Sequence, residues 1–227
     1  MPCYNEAKNI PLIIERFSNS INRDDIEVIF VDNGSTDDSK SVFKDYLPKH
    51  SFAKLVNLKI NNGYGHGIKC GLLAAKGDFI GYTHADMQTD PKDVIKALEI
   101  IESKGSSRNL FVKGLRKGRP FIDEFFTKGM SIFETLYLGT SLWDINAQPN
   151  IFHKTFFEKI KSKCPNDFSF DLYILYKSKK LNIDIVRFDV IFPERKFGVS
   201  SWNTGIVSKW NFIKRTLEFS SKLKKDL

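Results

Sequence analysis

Short apolar, β-branched runs alternate along the first half of the chain with segments whose apolar residues recur every three to four positions. Asn9 to Ser20 is of the second kind, with Ile10, Ile13, Ile14 and Phe17 on one face, and predicts a helix. Glu27-Val28-Ile29-Phe30-Val31 predicts a buried strand that runs into the polar turn Asp32-Asn33-Gly34-Ser35-Thr36-Asp37. A helix over Asp37 to Leu47, stopped by Pro48, a strand over Leu55 to Ile60, a helix over Gly65 to Lys76 and a strand over Phe79 to Thr83 follow. Pro91 to Ser103 predicts a helix with proline in its first turn, and Leu110 to Lys113 a further strand. Beyond this the pattern changes. Phe121 to Leu138 predicts a long amphipathic helix, followed by the stretch Asp144 to Phe152 and by helices over Lys154 to Ile160 and Asp171 to Lys180. Ile183 to Phe192 alternates like a strand, and residues 206–225 pattern as a basic amphipathic helix.

This order implies a single α/β domain, with a mostly parallel central sheet flanked by helices. With no internal repeat and no linker, it extends over residues 1–205, with residues 206–227 as a C-terminal amphipathic basic helix. A strand is expected ahead of Pro2-Cys3-Tyr4-Asn5-Glu6, where a parallel sheet would place a central strand, so the first strand reads as truncated or the sequence as a fragment.

Composition narrows the partners. The 227 residues are 41% hydrophobic and 27% charged, as in a globular protein, and carry a formal net charge of +8. That charge suits nucleic acid, an anionic membrane or a phosphorylated small molecule. The basic residues are dispersed except at the Lys-rich C-terminus, and no nucleic-acid-binding signature interleaves them, which argues against nucleic acid. Cys3, Cys70 and Cys164 form no CxxC or Cys/His cluster, which excludes a disulfide framework or a zinc site and fits a reducing compartment. No signal peptide and no run of membrane-span length is present, so the expectation is a cytoplasmic protein whose membrane contact, at the inner face, would be peripheral. The 20 phenylalanines make an apolar membrane-facing surface conceivable.

In an open parallel sheet, ligands bind beyond the carboxyl ends of the strands. Four polar segments lie there. Asp32 to Asp37 offers a carboxylate for a base or ribose, with Ser35 or Thr36 as a helix cap; alone it is equally a plain turn. In Thr83-His84-Ala85-Asp86-Met87-Gln88, alternate residues of an extended backbone would bring His84, Asp86 and Gln88 to one point, where they could hold a divalent cation. Lys113-Gly114-Leu115-Arg116-Lys117-Gly118-Arg119 and Arg195-Lys196-Phe197-Gly198-Val199-Ser200-Ser201 are basic, glycine-containing loops suited to phosphate, or simply to solvent.

Taken in order, these segments resemble family 2 glycosyltransferases with the glycosyltransferase A fold, most closely the dolichol-phosphate mannosyltransferase-like branch. The matching stretches are Pro2 to Glu6 with Asn9-Ile10, Glu27 to Asp37, Asn61-Asn62-Gly63-Tyr64-Gly65, Ala74 to Asp78 leading into Asp86-Met87-Gln88-Thr89-Asp90-Pro91, Arg116, and Arg195 to Ser201. The resemblance implies transfer from a nucleotide-diphosphate sugar with inversion, assisted by Mg2+ or Mn2+. It implies that Pro2, Tyr4 and Glu6 line the nucleotide pocket and that Asp32 contacts the base. His84, Ala85 and Asp86 would meet the donor, and Asp86 and Gln88, with His84, would bind the metal. Arg116 and Arg195, with Lys196 nearby, would grip the phosphates. Asp86 and Arg195 would be catalytic, as would Asp171, which lies where base-using relatives place their aspartate; its plainer role is a helix N-cap. His84 departs from the family pattern, which carries aspartate there. Histidine keeps a ligand atom and removes a negative charge, which would weaken the metal, favour Mn2+ over Mg2+, or tie activity to pH near neutrality.

The acceptor is then a polyprenyl phosphate or a cell-envelope saccharide. A sugar hydroxyl needs a general base, whereas a phosphate is already anionic. The apolar helix over 121–138 and the tail around Trp210, Phe212, Lys214, Arg215 and Phe219 support a lipid acceptor, because such helices can lie in an anionic membrane interface; the tail could equally dock onto the domain. Asp144 and Gln148 fall in the stretch that forms the acceptor side in relatives, or order a loop. Two other classes compete: a nucleotidyltransferase, which would carry a Gly-rich loop where Asn5 to Asn9 has none, and a non-catalytic nucleotide-sugar-binding relic that lost its metal through His84.

Overall fold

The computed structural model describes residues 1–193 and 206–225. The expected Arg195 and Lys196 contacts, and the loop to Ser201, fall outside these. In chain order the elements are β1 (Pro2–Cys3), α1 (Ile10–Ser20), β2 (Val28–Asn33), α2 (Ser39–Tyr46), β3 (Ala53–Leu58), α3 (Tyr64–Ala74), β4 (Phe79–Tyr82), α4 (Pro91–Ser103), β5 (Leu110–Lys117), α5 (Phe121–Leu138), β6 (Asn150–His153), α6 (Lys154–Ile160), α7 (Phe170–Lys180), β7 (Asp184–Ile191) and α8 (Ile206–Lys225). Pro48, which closes the α2 pattern, sits in a 3-10 turn over Leu47–Lys49.

The strands pair in two groups, β1-β2-β3 and β4-β6-β5-β7. The first is parallel throughout. Every residue of β2 is buried, as a strand covered on both faces requires, which explains its unbroken apolar run. In the second, β5 and β7 are parallel, but β6 runs antiparallel to both β4 and β5. β1 is two residues long and pairs with Val31 and Asp32 of β2. Apolar clusters lie on both sides: Ile10, Ile13, Ile14 and Phe17 of α1 with Phe30 and Phe43; Ala97 and Ile101 of α4 with Val112 and Val190; and Phe111 and Phe152 with Leu172 and Ile174 of α7.

Asp90 caps α4, its carboxylate accepting from the Lys92 amide at 2.9 Å, and Pro91 occupies the first helical position, so that boundary is sharp. β5 continues to Lys117, beyond the expected Lys113, because its basic end stays in register with β7 as far as Ile191.

Helix α5 is amphipathic in the inverse sense. Ser131 and Glu134 are fully buried beside Leu138, with Met130 and Tyr137 packed on the core, while Phe121, Ile122, Phe125, Phe126, Ile132, Phe133 and Leu136 are exposed. Helix α8 lies against α5: Ser220 bonds the Glu134 carboxyl at 2.7 Å, Lys224 sits 4.4 Å over the Tyr137 ring, and Leu223 is buried. The second half of the tail therefore docks on the domain, while Trp210, Ile213 and Leu217 face outward. No described helix is long and apolar enough to cross a membrane.

Candidate active site

The carboxyl ends of β1 and β2 and the segments after β4 and β5 all deliver polar residues. At the first pair, Asn5 adopts a left-handed φ of 57°, which asparagine tolerates better than most residues. Its side-chain oxygen accepts from the amides of Thr36 (2.8 Å) and Asp37 (3.3 Å), while its own amide donates to the Ser35 hydroxyl at 3.1 Å. The Ala7 amide donates to Asp37 at 3.2 Å, so the two turns are laced together. This corrects the expected cap: Asp38 takes the N-cap position of α2, and the Ser39 amide bonds to Asp37 at 3.0 Å. Ser35 and Thr36 serve the lacing instead.

Asp32 is buried and accepts from the Ser35 amide at 2.9 Å. Gly34, at φ +74°, passes so close to the Ile60–Asn61 backbone that a Cβ would lie 2.6 Å from the Asn61 nitrogen. Pro2 is half-buried beside Gly67, Glu6 is half-buried and accepts from the Asn9 amide group, and Tyr4 is exposed.

His84 to Gln88 is not extended. The chain bends through residues 85–89 with Met87 at φ +67°, in place of the expected extended backbone. Ala85 and Met87 turn into the apolar cluster beneath β1. Asp86 is buried and accepts from the Gln88 amide at 3.1 Å, while the Gln88 side chain donates to the Pro193 carbonyl at 3.1 Å. His84 stacks on Tyr64, with centroids 6.4 Å apart, and meets the Phe192 ring edge-on at 6.1 Å; Tyr64 also stacks on Phe168 at 4.8 Å. Among the described residues no three His, Cys, Asp or Glu side chains gather as a metal cluster. A divalent cation beside Asp86 would take that carboxylate, with the Gln88 side-chain oxygen and the His84 imidazole as further protein donors and oxygens of a bound diphosphate beside them, a ligand set that suits Mg2+ or Mn2+.

A buried polar network underlies this aromatic box. Asp171 lies in the first turn of α7. It is not the N-cap, a position held by Ser169. Its Oδ1 accepts from the Tyr82 hydroxyl at 2.8 Å, and burial raises its pKa despite the nearby Lys113 ammonium. The Tyr64 hydroxyl, pushed well above its ordinary pKa by burial with Asp171 and Asp86 nearby, accepts from Gln148. Gln148 Oε1 is buried with no hydrogen-bond partner, an acceptor that a ligand hydroxyl would satisfy.

Arg116 and Asp144 form a buried pair. The guanidinium donates to Asp144 Oδ1 at 2.9 and 2.5 Å and the Arg116 amide to Oδ2 at 2.8 Å. Burial opposes the Asp144 charge, but Arg116 outweighs it and the pKa falls. The guanidinium groups of Arg116 and Arg119 lie 5.4 and 5.8 Å from the Phe192 centroid, which carries them to the edge of the His84 box. Behind them is a cavity of about 100 Å³ whose lining includes Arg116, Lys117, Arg119 and Lys128 together with the carboxylates of Glu124 and Asp144.

The structure thus brings His84, Arg116 and Asp171 around Tyr64, Phe192 and Gln148, with Asp86 alongside, and places Pro2, Tyr4, Glu6 and Asp32 on the adjoining strand ends. Sequence reasoning gave Tyr64, Tyr82 and Asn150 no role in the site and read Lys113 as part of a loop suited to phosphate or solvent, whereas Lys113 is buried. The one signal available was a lysine at the end of the apolar run Leu110-Phe111-Val112.

The Glycosyl transferase family 2 profile matches residues 1–155, well over half of the chain. The chain belongs to that family. It is 28% identical over 213 residues to the dolichyl-phosphate beta-glucosyltransferase of Dictyostelium discoideum, a match covering 86% of this chain and 65% of that protein. It is 27% identical over 171 residues to the dodecaprenyl-phosphate galacturonate synthase of Rhizobium johnstonii, covering 71% and 48%. The chain thus spans less than two thirds of the length of these relatives. Two solved structures share the fold. One is a Pyrobaculum calidifontis mannosyltransferase in complex with GDP-Man and Mn2+ (TM-score 0.65, 18% identity, covering 87% of this chain and 56% of that one). The other is the Mycobacterium tuberculosis glucosyl-3-phosphoglycerate synthase with Mn2+, UDP-glucose and phosphoglyceric acid (TM-score 0.70, 17% identity, covering 97% and 78%). The glycosyltransferase A fold expected from the sequence is therefore the fold present.

Proposed function

We propose that this family 2 glycosyltransferase moves a sugar from a nucleotide-diphosphate donor to a polyprenyl phosphate, with inversion. One observation carries the choice of acceptor: the outward aromatic stripe of α5 lies beside a cavity in which four cations, Arg116, Lys117, Arg119 and Lys128, outnumber two carboxylates, Asp144 and Glu124. A lipid interface would cover the stripe, and the cavity suits the phosphate of a chain anchored there. The two curated relatives are named for polyprenyl-phosphate acceptors, which supports the same reading.

In this reading the nucleoside lies against Pro2, Tyr4 and Glu6, with Asp32 at the base. Asp86, with Gln88 and His84, would hold a divalent cation, which when bound neutralises the donor diphosphate. Both named solved structures contain Mn2+, although nothing distinguishes Mn2+ from Mg2+ for this chain. Arg116, Arg195 and Lys196 hold negative charge on the departing diphosphate. An acceptor phosphate oxygen attacks the anomeric carbon from the face opposite the leaving group. The new C–O bond forms as the sugar–diphosphate bond breaks, and that electron pair leaves with the nucleoside diphosphate. No base is needed, because the nucleophile is already anionic.

Asp171 favours a second reading. A buried carboxyl with a raised pKa, held by the Tyr82 hydroxyl, can take a proton from a saccharide hydroxyl. The deciding experiment incubates the protein with undecaprenyl phosphate in vesicles, a panel of UDP- and GDP-sugars, and either Mn2+ or EDTA, and follows glycolipid by mass spectrometry. Metal-dependent formation of a polyprenyl-phosphate sugar is expected. Donor binding without transfer to any lipid or saccharide would leave the non-catalytic alternative standing.

A further inference from the structure

Lys113 is 1% exposed, on β5 between the paired residues Asn150 of β6 and Arg187 of β7. Its ammonium donates to the Ile145 carbonyl at 2.9 Å, the Ala147 carbonyl at 2.5 Å and Asn150 Oδ1 at 2.8 Å. Three converging acceptors match the three N–H donors of an ammonium; a neutral amine would turn a lone pair on one of them. All three belong to one turn and its exit, residues 145–150. The adjoining Gly114 lets that turn lie directly on β5: its amide donates to the Pro149 carbonyl at 3.0 Å, and a Cβ there would meet the Gln148 oxygen at 2.3 Å.

The turn carries the groups of the site. Asp144, at its start, holds the Arg116 guanidinium; Gln148 holds the Tyr64 hydroxyl; and Asn150 Nδ2, 3.5 Å from Asp171 Oδ1, links the ammonium to that carboxyl. We propose that Lys113 is a positioning residue: its buried ammonium clamps the 145–150 turn and thereby sets Arg116, Tyr64 and Asp171 against the reacting sugar. The effect on turnover rests on the glycosyl-transfer reading, whereas the clamp itself does not.

Burial pulls the Lys113 pKa down to about 7, opposed by Asp171 of α7 and Asp144 of the turn and assisted by Arg187 of β7 and Arg116 of β5. Loss of its proton would release one acceptor and loosen the turn.

Two readouts test this. The first needs no activity. With Trp202 and Trp210 changed to Phe, Trp143 alone reports on the turn, beside Asp144 and with its carbonyl bonded to Arg187. Lys113→Met is expected to raise acrylamide quenching of Trp143 about twofold or more while circular dichroism stays native. The second uses the donor that supports transfer in the vesicle assay. Lys113→Met should lower kcat about 30-fold or more, with KM for the nucleotide sugar within about threefold, because Arg116 acts on the charge that develops as the diphosphate departs and the Asp32 pocket is untouched. Wild-type kcat should fall with a basic limb near pH 7, and Lys113→Arg, charged throughout, should keep part of the activity without that limb up to about pH 9. Unchanged Trp143 quenching, or the same basic limb in Lys113→Arg, would overturn the clamp. If Lys113→Met does not fold, Lys113→Arg and the wild-type profile decide it. Wild-type protein inactive with every donor, yet with Trp143 quenching raised in Lys113→Met, would sink the transfer reading and leave the clamp intact.

Discussion

Asp171 is the residue at which stability and chemistry pull apart. Its folded pKa lies above the ordinary carboxylate value because burial disfavours the charge. The sign follows from proton linkage. In a pH range between the unfolded and folded values the folded state binds more protons, so stability is present below the unfolded pKa and is lost as pH rises through the folded one. Ionising Asp171 therefore costs stability. Asp171→Asn keeps an oxygen for the Tyr82 hydroxyl and removes the titration, so the fall in Tm that differential scanning calorimetry shows for wild type as pH rises should shrink in this variant. Its effect on turnover separates the acceptors. With polyprenyl phosphate, transfer should stay within about tenfold of wild type; a loss of about 100-fold or more would mark Asp171 as the base for a hydroxyl acceptor. The family resemblance points to Asp171, but its partner Tyr82 comes from β4, 89 residues away, which no local pattern announces.

Among the elements, α5 and α8 show what periodicity conveys and what it withholds. The stripe of Phe121, Ile122, Phe125 and Leu136 was legible, as was the helix over Phe121–Leu138. Which side faces the core was not, because amphipathicity fixes an angle between faces and leaves the neighbours unspecified. What turns the polar face inward is a set of partners distant in sequence. Ser131 bonds the Asp144 amide at 3.2 Å, and Glu134 meets Ser220. The extended backbone expected over His84 to Gln88 is absent for a related reason: the left-handed φ of Met87, whose side chain packs in the apolar cluster, follows from contacts that no local pattern announces. The order of strands and helices was legible because each carries its own period. The antiparallel course of β6 was not, since direction is set by pairing with β4 and β5. The Glu134–Ser220 contact yields a prediction of its own. Ser220 has a single hydroxyl proton and lies within reach of both Glu134 oxygens and of the Thr216 carbonyl at 2.9 Å. A protonated Glu134 resolves this, donating to Ser220 while Ser220 donates to Thr216. Burial raises the Glu134 pKa to about 7 accordingly. Stability at this helix pair should thus be greatest below about pH 4.5 and fall as pH rises through 7, by on the order of 2 kcal/mol. Glu134→Gln should abolish that slope in urea titrations across pH 5 to 8; an unchanged slope would place the titrating group elsewhere.

For the whole molecule, the question is what covers the outward face. Phe121 is 81% exposed and Leu136 78%, and α8 adds Trp210 at 65%. Scattered exposed apolar residues are ordinary, but a contiguous aromatic stripe on one helix is not, and it implies a surface that meets something apolar. The rim around it carries more cations than carboxylates, with Lys117, Arg119 and Lys128 beside Asp123 and Glu124 at α5 and Lys214 and Arg215 on α8, and the chain as a whole carries +8. A protein partner would account for the stripe. An anionic lipid surface accounts for the stripe and the rim together, because aromatic side chains insert at the interface while the cations meet headgroup phosphates. The prediction is that the protein floats with vesicles containing anionic lipid at low salt, and does so less as salt screens the rim. Phe125→Asp combined with Leu136→Asp removes two inserted side chains, each worth about 1.5–3 kcal/mol of burial, so partitioning should fall about 100-fold or more. Neither residue touches the site, so transfer to a short, water-soluble acceptor phosphate should be unaltered. Because the variant separates membrane attachment from chemistry, its two readouts cannot fail together for one reason. Undiminished flotation would move the docking face away from α5, and lost activity on the soluble acceptor would mean that α5 shapes the basic cavity as well as covering it.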